Sequence, residues 1–129
     1  MRHNQYEAAE QIKLFRWAAW AVNQYPELEL LYHIPNGGSR NTIEAAHLKR
    51  QGVKAGVPDL CLPAPKGKYH GLYIEMKFGD NKPTKKQKEW IEMLTRYGYA
   101  VSVCWSYEAA KAEIEKYLGL EVNDGKANN

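Results

Sequence analysis

Gly52-Val53-Lys54-Ala55-Gly56-Val57-Pro58-Asp59-Leu60, followed by Tyr73-Ile74-Glu75-Met76-Lys77, is the stretch whose reading decides the fold. Pro58 lacks an N–H and restricts Val57 to extended conformations, so no helix runs through Asp59. A short strand is expected from Asp59 to Leu62, a loop over Pro63–Lys68, and a second strand from Leu72 to Phe78, the two strands forming a hairpin-like pair. Alternation puts Leu72, Ile74, Met76 and Phe78 on one face, toward the core. Tyr73, Glu75 and Lys77 share the other, toward a cleft or solvent. If the strands pair, Asp59 approaches Glu75. Two carboxylates at about 4 Å repel by roughly 4 kcal/mol at an effective dielectric near 20. A divalent cation relieves that repulsion, and a lysine beside it suits work on a phosphate. An isolated E-x-K tripeptide is weak evidence; the preceding P-D and the strand–turn–strand–helix order strengthen it.

Working outward, residues 6–22 predict a helix with Glu10, Leu14, Trp17, Ala18 and Ala21 on one stripe. Ile12, Phe15 and Ala19 add an apolar flank, as expected of a helix central in the fold or packed on another subunit. Pro26 closes this region, and Leu28–Ile34 is read as a strand. Pro35–Ser39 is a turn cluster. Asn41-Thr42-Ile43-Glu44 resembles a capping box for a short helix to Gln51, stopped by Gly52. Thr84 opens a helix to about Tyr97, with Gly98 as its stop. Ala100–Trp105 predicts a strand, and Ser106 caps a last helix to about Leu118. The expected organisation is one domain over residues 1–120, with a polar tail over 121–129.

The chain has 129 residues, 44% hydrophobic, and a net charge of +3, a balance that says little about partners. Its distribution says more. Lys77, Lys82, Lys85, Lys86 and Lys88 face only Asp80 between them, and Arg40, Lys49, Arg50 and Lys54 face only Glu44. Lysine runs are commonly solvated helix faces. These two adjoin the paired acids, which suits a polyanion laid across a cation-holding site. Cys61 and Cys104 lack metal spacing and read as buried, reduced thiols of an intracellular protein. No signal segment or membrane span is evident, so a cytoplasmic protein is expected.

Further residues are candidates for the site. Glu10 lies on the apolar stripe of the first helix, where an acid needs a reason; Glu7, one turn earlier, is its competitor. Either could instead favour the positive end of its helix. Gln87 aligns with Trp90, Ile91 and Leu94. It could hydrogen-bond a ligand carboxylate, or complete a capping box with Thr84. His33 borders the glycine turn and could touch a phosphate, as could the backbone of Asn36–Ser39 with Arg40.

The Gly52–Leu60 string, Tyr73–Lys77, and Pro83-Thr84-Lys85-Lys86-Gln87 together resemble the virus-type replication-repair nuclease (VRR-NUC) domain of the PD-(D/E)xK nuclease superfamily. The resemblance runs from the first helix to about Trp105. It implies an α/β, restriction-endonuclease-like core: a central mixed β-sheet flanked by helices, in αβαβββ-type order with helices after strands. It also implies hydrolysis of DNA phosphodiesters with Mg2+ or Mn2+. On this pattern Asp59 and Glu75 are metal ligands, the Met76 carbonyl adds a ligand, and Lys77 is the catalytic lysine. Glu10 matches the helix-one acid and Gln87 the glutamine after the E-x-K strand. Arg40, Lys49, Arg50, Lys54, Lys82, Lys85 and Lys86 are the expected DNA contacts. Stand-alone members of this length resemble homodimeric Holliday-junction resolvases, so branched DNA and a second copy of the chain are the expected partners.

Overall fold

A computed structural model describes residues 2–35 and 41–121, the side chains from residue 6 onward. The expected turn at residues 36–39, Arg40 and all of the polar tail except Glu121 lie outside the described residues.

In chain order the elements are helix α1 (Arg2–Ala21), a 3-10 turn (Pro26–Leu30), strand β1 (Tyr32–His33), α2 (Thr42–Arg50), β2 (Leu60–Leu62), β3 (Leu72–Met76), α3 (Lys85–Arg96), β4 (Ala100–Cys104) and α4 (Tyr107–Leu118). The strands form one mixed sheet in the order β1-β2-β3-β4. β1–β2 and β2–β3 are antiparallel, with Leu60 opposite Ile74 and Cys61 opposite Tyr73. β3–β4 is parallel, joined through α3. The fold is therefore the mixed α/β arrangement expected.

Leu14, Trp17, Ala18 and Ala21 of α1 pack with Leu60, Leu62, Leu72, Ile74 and Met76 of the sheet and with Ala110, Ile114, Tyr117 and Leu118 of α4. Leu72, Ile74 and Met76 are the set that alternation assigns to the core. α1 and α4 therefore cover one face of the sheet, and the second face carries the charged residues. Asn41, Thr84 and Ser106 each cap the helix expected of them, accepting from the N–H three residues on. Cys61 and Cys104 are buried free thiols.

One expected strand is mostly something else. Leu28–Ile34 yields a two-residue strand, because Pro26 sits at the first position of a 3-10 turn that carries Leu28 into the core. Proline's fixed φ suits the start of a helical turn, and that local preference prevails over the weak alternation. The apolar flank of α1 is divided: Phe15 packs against the core, whereas Ile12 and Trp20 are 55% and 69% exposed in the single chain. α2 contributes no buried residue.

Candidate active site

The site forms where the loop after Pro58 meets the end of β3. The β2–β3 pairing brings Asp59 alongside Met76, whose N–H donates to Asp59 Oδ2 at 2.8 Å. The Asp59 carbonyl accepts the Ile34 N–H at 2.7 Å, and His33 Nδ1 lies 3.0 Å from the same oxygen. A carbonyl only accepts, so this His33 nitrogen carries the hydrogen. The residue before β2 is thus held from both neighbouring strands.

Glu75 and Lys77 share the second face, as alternation requires, but that face is not open: they are 3% and 8% exposed. α3 covers the site from above through Gln87. Its Nε2 donates to Glu75 Oε2 at 3.1 Å while its Oε1 accepts the Thr84 N–H at 2.8 Å. Both roles open to Gln87 are therefore filled, by opposite ends of one amide. The helix cap fixes which way the amide points.

Lys77 Nζ lies 3.7 Å from Glu75 Oε2. The other oxygen, Glu75 Oε1, is buried with no hydrogen-bond donor facing it. The Asp59 carboxyl is near enough for each acid to influence the other's ionisation. Burial raises the Glu75 carboxyl to about 8, with the Asp59 charge next; Lys77 offsets part of this, and Glu7 adds a smaller upward push. Burial raises Asp59 as well, with the Met76 N–H the main opposing influence. Two acids in one dry site cannot both ionise without a compensating charge. The orphaned oxygen is what a cation or a shared proton would satisfy, so the residues present fit a divalent ion.

The helix-one acids separate clearly. Glu10 does not turn into this site. Its Oε1 accepts the Tyr107 N–H at 2.9 Å and its Oε2 meets Lys13 Nζ at 2.9 Å, so it braces the first turn of α4. Glu7 is the acid whose charge reaches Glu75. The apolar stripe points to Glu10, whereas the site lies one turn nearer the N-terminus. Among the described residues no three His, Cys, Asp and Glu side chains gather as a ready ligand cluster. Asp59 and Glu75 stand as a pair, the donor set typical of magnesium completed by waters and substrate phosphate.

Lys49, Arg50, Lys54, Lys82, Lys85 and Lys86 are all exposed. Lys85 and Lys86 occupy the first turn of α3, the turn whose Gln87 bonds Glu75. Gly56 makes that proximity possible. Its φ is +93°, and a Cβ there would stand 2.8 Å from the carbonyl carbon and oxygen of Lys86. The loop carrying Asp59 therefore packs on the backbone of α3. Gly56→Ala is expected to cost about 1–3 kcal/mol through strain and collision. Thermal unfolding would register this as a Tm lowered by several degrees.

Fold and site together define an α/β domain of nuclease type. The sequence profile of the VRR-NUC domain matches residues 3–108, and the chain belongs to that family. A solved structure described as a VRR_NUC domain protein is 36% identical, covers 93% of each chain and superposes with a TM-score of 0.77. No curated protein matches.

Proposed function

We propose that this chain is a divalent-metal-dependent endonuclease that hydrolyses DNA phosphodiester bonds, acting on branched DNA as a homodimer. The observation that carries the reading is the buried Glu75 carboxyl with one oxygen lacking a donor, the half-buried Asp59 carboxyl opposite it, and the Lys77 ammonium beside it. The reading takes residues 1–120 as a single nuclease unit, working in the cytoplasm. Among the described residues no helix is long and apolar enough to cross a membrane.

Asp59, Glu75 and the Met76 carbonyl would hold the ion, Mg2+ or Mn2+, with Glu7 rather than Glu10 as the helix-one acid. An ion held there would offer positive charge to the phosphate and would make a coordinated water more acidic. Lys77 then orients the attacking water and stabilises charge developing on the phosphate. Gln87 holds Glu75 in one orientation and excludes bulk water above it. Lys82, Lys85 and Lys86 gather the DNA backbone. Cations in the first turn of a helix oppose its dipole, and a bound phosphate reverses that cost. Lys49, Arg50 and Lys54 continue the basic track, joined by Arg40 on the strength of its place in the sequence. α2 buries nothing against its own chain, which leaves its cations free to meet a polyanion.

Two opposed nicks need two sites related by a two-fold axis. The uncovered side of α1 supports pairing there. Ile12, Phe15, Ala19, Leu31 and Tyr32 line an open, largely apolar groove of about 690 Å3 between α1 and β1.

The deciding experiment is cleavage of labelled junction, flap, duplex, single-stranded and RNA substrates with magnesium, manganese or chelator. Junction cleavage abolished by chelator is the expected result. Binding without cleavage in every metal would instead mark a non-catalytic DNA-binding module, and preferential cutting of ends or RNA would reassign the substrate. Asp59→Asn is expected to shift the metal titration to higher concentration and to lower the cleavage rate in parallel. An unchanged titration removes Asp59 from the ligand set.

A further inference from the structure

The start of α1 has no acidic residue in its first turn to favour it electrostatically, yet it must hold Glu7 at the site. What holds that end lies next to Glu7 in sequence. The Tyr6 ring stacks on the Phe78 ring with centroids 4.6 Å apart and planes 11° from parallel. Phe78 directly follows Lys77, and Tyr6 directly precedes Glu7. One aromatic pair therefore ties the backbone of the acid on α1 to the backbone of the lysine after β3. Tyr6 remains 50% exposed, more than a tyrosine retained for core packing would be. Among the described residues of α1 the first buried side chain is Leu14, more than a turn past Glu10.

We infer that Tyr6 is a positioning residue: its stack on Phe78 clamps the first turns of α1 over the end of β3 and so sets Glu7 toward Glu75. The inference rests on the proposed metal site and deepens it. Tyr6 itself touches no reacting atom. Without the clamp the start of α1 frays, as helix ends do, and Glu7 spends less time at the ion. The ring, not the hydroxyl, does this work, so Tyr6→Phe keeps the function and Tyr6→Ala loses it.

The test measures Mn2+ affinity by calorimetry or electron paramagnetic resonance in wild type, Tyr6→Ala, Tyr6→Phe, Glu7→Gln and the Tyr6→Ala/Glu7→Gln double variant. Amide exchange of residues 6–10 in metal-free protein is followed alongside. Tyr6→Ala is expected to weaken Mn2+ binding by about two- to tenfold, the range an aromatic pair supports, and to speed exchange in the first turns of α1. Tyr6→Phe should match wild type in both. Because Tyr6 acts through Glu7, Tyr6→Ala should change nothing further in the Glu7→Gln background. Wild-type affinity in Tyr6→Ala, or an equal additional loss in the double variant, overturns the inference while leaving the metal site standing. Wild-type protein that takes up no manganese, or Glu7→Gln with unchanged affinity, overturns the site reading and the inference with it.

Discussion

Lys77→Ala is expected to leave a folded protein that still binds junction DNA and cuts it at least about a hundredfold more slowly, the scale on which a positioned proton-transfer or charge-stabilising group acts. Lys77 is 8% exposed and its ammonium stands 3.7 Å from Glu75 Oε2, so it is fixed at the acids and is not part of the exposed basic track. The variant tolerates the loss in its fold because Glu75 already lies near neutrality, raised to about 8, and takes up a proton when the neighbouring cation is gone. In the proposed reading, affinity for DNA rests on the exposed lysines of the loop before α3 and of its first turn, which the substitution leaves in place. Lys77→Arg is not expected to rescue the rate, since a guanidinium is planar and cannot give up its proton. Single-turnover cleavage beside a gel-shift titration separates the two quantities. Cleavage within a few-fold of wild type at saturating metal would show that Lys77 is not the catalytic lysine.

The opposite pattern is expected for the exposed cations. Replacing Lys85 and Lys86 together by alanine should weaken binding to every DNA shape about equally. It should also flatten the dependence of log K on log salt by about one unit for each phosphate no longer neutralised. The rate at saturating enzyme should change little. A binding curve whose salt slope matches wild type would place the DNA elsewhere.

Much of the fold was legible because local chemistry and tertiary demand agree there. Pro58 forbids a helix, alternation in Leu72–Met76 separates a core face from a charged face, and Asn41, Thr84 and Ser106 each accept the cap hydrogen bond expected of them. Legibility failed where a residue's meaning depends on a distant partner. Glu10 looks inward on the helical wheel, and it is indeed half-buried, but its inward neighbour is the Tyr107 N–H at the start of α4, which no spacing within α1 announces. Likewise the alternation of β3 could show that Glu75 and Lys77 share a face. It could not show that Gln87 and Gly56 bring the first turn of α3 down on that face and dry it. The strand expected at Leu28–Ile34 failed for a local reason: a proline at the first helical position outweighed a weak apolar alternation.

That drying leads to the second large effect. A carboxyl raised in the folded protein keeps its proton over a range where the unfolded chain has lost it. With Glu75 raised from 4.5 to about 8, the native metal-free protein binds more protons than the unfolded chain between those limits, and its stability falls as pH rises through that window. Glu75→Gln removes the ionisable group and keeps an uncharged side chain of similar shape. The variant is expected to be more stable than metal-free wild type at pH 8, by at least about 1 kcal/mol, and to lose most of that advantage at pH 5. In wild type, adding Mg2+ or Mn2+ should recover the same stability by taking the place of the proton. The apparent metal affinity should therefore increase between pH 6 and pH 8, with up to one proton released per ion bound. Calorimetry in buffers of different ionisation enthalpy counts that proton directly. Glu75→Gln should show neither metal-linked stabilisation nor proton release, and should cut no DNA. On the proposed reading, stability is gained here only by giving up a ligand, as expected of acids placed for an ion and not for the fold. A Glu75→Gln variant less stable than wild type at pH 8, or metal binding with no proton release, would mean that the carboxyl pair is already ionised in the free protein and that Lys77 alone compensates it.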